Sequence, residues 1–92
     1  MATHYVYILT NAYRSMFYVG TTHALHQALF NHNNGRSDPF AKKYNCKYMV
    51  FYEERETKEA AEIRKSEITS RPKVKQIDMI TSQNPNLDEI GL

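Results

Sequence analysis

The 92 residues fit one domain with a modest core. With 41% hydrophobic residues, seven tyrosines and four phenylalanines, the composition is that of a folded chain and excludes a disordered tail. A net charge of +2 is too small to identify a nucleic-acid binder by itself. Cys46 is the only cysteine, so no intramolecular disulfide and no cysteine-cluster zinc site can form. The start of the chain carries neither a basic leader nor an apolar run long enough for a signal peptide or membrane span, and the expected location is cytoplasmic.

Residues 4–10 and 16–20 are rich in β-branched and aromatic side chains, and Asn11 to Ser15 between them supplies turn chemistry, so a β-hairpin is predicted. Thr22 is placed to cap a helix over about 23–34, in which Leu25, Ala28, Leu29 and His32 recur at helical spacing, with Gly35 as its left-handed stop. Ser37, Asp38 and Pro39 open a short helical turn, Phe40 to Tyr44, and Cys46–Glu53 reads as a third strand, apolar enough to be central. Thr57 caps a helix with Ala61 and Ile68 on one face, ended by Pro72. A last helix starts at Pro72 with Val74, Ile77 and Ile80 as its inner stripe, and the tail 84–92 is expected to be irregular. The predicted class is α+β, a single domain over 1–92 with a three-stranded, mostly antiparallel sheet flanked by helices.

Two tripeptides, Tyr5-Val6-Tyr7 in the first strand and Tyr18-Val19-Gly20 in the second, are joined by a short hairpin and followed by a helix carrying His32. Further on stand Phe40-Ala41-Lys42-Lys43-Tyr44-Asn45, then Val50-Phe51-Tyr52-Glu53-Glu54, and a late Asn84-Pro85. In these features the chain resembles the GIY-YIG nuclease superfamily, and within it the small stand-alone bacterial members similar to the catalytic domain of the repair nuclease UvrC.

The resemblance implies a nucleic-acid partner, DNA above all, in repair or processing. It implies catalytic roles for Tyr18 as the hydroxyl that helps activate water, Tyr7 as its neighbour and His32 in proton transfer. It also implies an arginine to stabilise the phosphate and a glutamate to hold one magnesium or manganese ion. Counting from the motif, the arginine position is Ala28 and the glutamate position is Lys65, while Gln27 and His26 are expected to point elsewhere. A charged lysine has no lone pair for a metal, which leaves Glu62, one turn back, as a weak substitute.

The expected function is therefore nucleic-acid binding with cleavage impaired or lost, Lys42, Lys43, Lys65, Arg71 and Lys73 supplying phosphate contacts and no cofactor being needed. The alternatives are an active metal-dependent endonuclease and a non-catalytic protein-interaction module. His23 and His26 are expected to be surface histidines rather than zinc ligands, Tyr5, Tyr48 and Tyr52 sheet packing, and Cys46 a small buried hydrophobe.

Overall fold

A computed structural model of the chain describes residues 4–34 and 38–91. The elements, in chain order, are β1 (His4–Thr10), β2 (Phe17–Thr22), α1 (Leu25–Asn33), α2 (Pro39–Lys43), β3 (Tyr48–Arg55), α3 (Lys58–Thr69) and α4 (Lys73–Thr81). The fold is α+β, with one antiparallel sheet in the order β2-β1-β3. Among the described residues no helix is long and apolar enough to cross a membrane.

β1 is the central strand, and Val6 through Thr10 are all buried because both faces of the sheet are covered. Alternation divides its side chains. Val6 and Ile8 meet Val19, Phe51, Ala61, Ile68 and Ile80 on the face covered by α3 and α4. Tyr7 and Leu9 meet Leu25, Ala41, Cys46 and Met49 on the face covered by α1 and α2. Cys46 is buried there, as its small apolar character predicts.

The near-continuous apolar run predicted as a central strand is instead the edge strand β3, shifted to 48–55. Its exposed edge is shielded by the tail. Ile8 pairs with Phe51 and Leu9 with Met49, so Val50 is an extra residue in a β-bulge. Asn84 Nδ2 donates to the Val50 carbonyl at 3.0 Å and to the Asp88 carbonyl at 2.8 Å, and the Ile90 amide donates to the Met49 carbonyl at 2.7 Å. The tail from 84 to 91 has no helix or strand, yet it satisfies β3 carbonyls that a second strand would otherwise have taken.

At the hairpin, the Asn11 side chain accepts from the Ser15 amide at 2.8 Å, and Arg14 takes φ 56°. β2 runs two residues beyond its predicted end, so Thr22 closes the strand and is not the helix cap. Its hydroxyl instead accepts from the Ala24 amide at 3.0 Å, and α1 begins at Leu25 without a side-chain cap. Gly35, the predicted stop, lies outside the described residues.

Asp38 caps α2 through the Phe40 amide at 2.8 Å, and Thr57 caps α3 through the Ala60 amide at 3.0 Å, the latter as predicted. Ala61 and Ile68 share the buried face of α3. In α4 the predicted inner stripe holds only in part. Ile80 is buried and Ile77 half-buried, but Val74 is 65% exposed, and Met79 packs partly buried against the core instead.

Candidate functional site

Strand register assembles the site. Tyr7 pairs with Gly20 across β1 and β2, and Tyr18 stands two residues before Gly20, so both tyrosines leave the same face of the sheet. Gly20 is required there. A Cβ at position 20 would stand 2.5 Å from the Tyr7 hydroxyl and 3.0 Å from Tyr18 Cε2, so the Tyr7 phenol lies across the bare glycine backbone.

α1 crosses this face and brings His32 down onto the phenols. Tyr7 Oη and His32 Nε2 are 3.1 Å apart. The His32 ring centroid is 5.8 Å from that of Tyr7 and 5.3 Å from that of Tyr18, and the two phenol rings are 6.2 Å apart. Tyr7, Tyr18 and His32 thus converge, as the two tripeptides and the following helix imply. Among the described residues His32 Nδ1 is buried without a hydrogen-bond partner.

Burial raises the Tyr7 phenol far above its ordinary pKa, with the neighbouring Tyr18 adding to the rise. It raises Tyr18 too, followed by the Asp38 carboxylate, and it lowers His32 against the opposing pull of Asp38. At neutral pH both phenols therefore hold their protons and the imidazole is uncharged. A phenol in that condition is a poor acceptor for the proton of an attacking water.

The three rings open into a cleft of about 320 Å³. Ala28 and Gln27 line it from α1, together with Asn31, Thr21 and Asp38. Gln27 thus faces the cleft, contrary to the sequence expectation, and its amide donates to Asn31 Oδ1 at 3.1 Å; His26 points instead into a separate hollow with Tyr5 and Tyr52. Ala28 is where the motif count puts it, at the cleft wall, half-buried against the α1/α2 cluster. No lysine or arginine among the described residues lines this space.

Glu62 reaches the site from α3 along the exposed edge of β2. Its carboxylate accepts from the Thr21 hydroxyl at 2.6 Å, and its charge contributes to the raised pKa of Tyr18. Lys65 stands one turn further along the same flank of α3, half-buried, and does not line the cleft. Among the described residues no three of His, Cys, Asp and Glu gather closely enough to hold a metal ion.

The remaining basic residues do not converge on the rings. Lys42 and Lys43 end α2 and are exposed. Arg71 lies by Met79, Lys75 and Asp78, whereas Lys73 donates to the Ser15 carbonyl at the hairpin. Sequence reasoning missed Asp38 as a site residue. Its only signal was a helix-capping position before Pro39, yet its charge acts on Tyr7, Tyr18 and His32 alike.

The profile of the GIY-YIG catalytic domain matches residues 3–72, and the chain belongs to the GIY-YIG family. No curated protein and no solved structure matches the chain significantly. The family is nuclease-like, implies association with nucleic acid and typically uses divalent metals. Asn84 falls beyond the matched span, and its side chain is taken up in holding the tail to β3.

Proposed function

We propose that this chain is a nuclease-derived domain that binds DNA while cleaving it poorly or not at all, similar in type to the UvrC catalytic domain. The observation that carries the reading is Ala28 at the cleft wall, in the position the motif count assigns to the phosphate-stabilising arginine. Loss of one such transition-state donor costs about a hundredfold to a thousandfold in rate. The donor set does not fit a catalytic divalent ion either. Glu62 is already engaged by the Thr21 hydroxyl, and a charged Lys65 ammonium, in the position the motif count gives to the metal glutamate, repels a cation. Tyr7, Tyr18 and His32 then serve as a polar aromatic floor, and affinity comes from phosphate contacts made by Lys42, Lys43, Lys65, Arg71 and Lys73.

Incubation of plasmid and branched DNA with magnesium or manganese should give no nicking above background. Anisotropy titrations should show weak binding that fades as salt rises. Metal-dependent cleavage abolished by Tyr18→Phe and Glu62→Gln would establish the active endonuclease instead. Absence of binding to any nucleic acid at low salt would establish a protein-interaction module.

A further inference from the structure

α2 presents an aromatic surface that the core does not use. The helix is held from one side: Ala41 is 2% exposed in the α1/α2 cluster, and its carbonyl accepts from the Cys46 amide at 2.9 Å. Tyr44 packs partly against that cluster. Phe40 belongs to neither apolar cluster and is 40% exposed, and its ring meets Tyr44 at 4.8 Å between centroids with the planes tilted by 52°. The Lys43 ammonium stands 5.3 Å from the centre of the Tyr44 ring. Residues three and four apart share a helix face, so Phe40, Lys43 and Tyr44 form one surface: an exposed ring, a ring anchored behind it and a cation beside them. Lys42 projects about 160° away from Phe40, at about 100° per residue, and lies outside that surface.

The position of this surface is informative. Asp38 accepts from the Phe40 amide at 2.8 Å and also lines the Tyr7–Tyr18–His32 cleft, so α2 and its aromatic surface begin at the cleft's edge. The acidic residue precedes the helix and the cation ends it, which assigns a phosphate to the Lys43 end.

We propose that Phe40, Tyr44 and Lys43 form a stacking platform for an unpaired DNA strand at the rim of the cleft. An exposed π-face with an adjacent ammonium matches a nucleotide whose base is unstacked and whose phosphate is at hand; a duplex offers the phosphate but keeps its base faces closed. The proposal rests on the nucleic-acid reading above and narrows it to single strands.

The test is fluorescence anisotropy at low salt with the full chain, using a labelled single strand of about 12 nucleotides, within the span one small domain covers, and a duplex of the same sequence. Wild type should bind the single strand more tightly. Phe40→Leu, which keeps apolar bulk and removes the π-face, should weaken single-strand binding about tenfold and leave duplex binding unchanged, while Phe40→Tyr should retain wild-type affinity. Lys43→Ala should lower the salt slope by about one ion, and Lys42→Ala should leave the single-strand preference intact. Equal binding of both probes, unchanged by Phe40→Leu, would overturn the platform and leave the nucleic-acid reading standing. Binding of neither probe would overturn both. Self-association of the wild type by sedimentation, lost in Phe40→Leu, would assign the ring to a second copy of the chain and overturn the proposal.

Discussion

Gly20→Ala tests whether the site is assembled by the register between β1 and β2. The new Cβ would lie 2.5 Å from the Tyr7 hydroxyl oxygen and 2.6 Å from Cζ, and ordinary contact begins at 3.4 Å, so the phenol must move by roughly 0.9 Å. Tyr7 has little room to do so. It is 4% exposed, packed between Leu9, Leu25 and their neighbours, and bonded to His32 at 3.1 Å. Overpacking of this kind costs about 1–3 kcal/mol, and displacement of the hydroxyl takes away the Tyr7 partner of His32 Nε2, at about 1–3 kcal/mol for a buried polar group. The combined loss should be about 2–6 kcal/mol, which for a domain of this size lowers Tm by on the order of 10–50 °C. Urea and thermal denaturation would measure it. The cost should nearly vanish in a Tyr7→Leu background, where the clashing atoms are gone, so the double change should be less harmful than the sum of the single ones. An equal cost of Gly20→Ala in both backgrounds would show that the glycine answers to its own backbone and not to Tyr7.

The remaining predictions concern charge, the tail and the missing chemistry. A histidine held neutral by burial destabilises the fold once the unfolded chain begins to take up its proton, so stability should fall as pH drops below about 6.5. Buried phenols keep their protons above pH 10 while the unfolded chain loses them, so stability should fall again on that side. Urea midpoints across pH should show a flatter acid limb in His32→Gln and a flatter alkaline limb in Tyr7→Phe; limbs unchanged from wild type would assign the dependence to other groups. Asn84→Ala removes the bonds to the Val50 and Asp88 carbonyls and should cost about 1–3 kcal/mol by urea denaturation. A loss under about 0.5 kcal/mol would mean that the tail does not support the β3 edge. Lys65→Glu should introduce manganese binding measurable by calorimetry with little nicking, and adding Ala28→Arg should raise nicking by more than the product of the two separate effects. Purely multiplicative effects would show that the two positions do not act on one transition state.

The sequence by itself determined the α+β class, the hairpin, the cap at Thr57, and the meeting of Tyr7, Tyr18 and His32. Each follows from short-range rules, since turn residues, capping side chains and the two-residue period of a strand act over a few positions, and a family motif carries the rest. Tertiary structure decided what depends on distant partners. The apolar run 46–53 reads as a central strand, but β3 is at the edge because residues 84–90 supply its missing hydrogen bonds, and no local pattern announces a carbonyl satisfied from 34 positions away. Val74 has the spacing of a core residue and is exposed, whereas Met79 of the same helix packs against the core. Gln27 and Asp38 enter the cleft because of how α1 and α2 sit on the sheet, and Lys65 does not line it, standing one turn beyond Glu62, which α3 brings to Thr21 at the cleft's edge. Spacing along the chain assigns a residue to a side of its own element; only the packing of elements determines what that side faces.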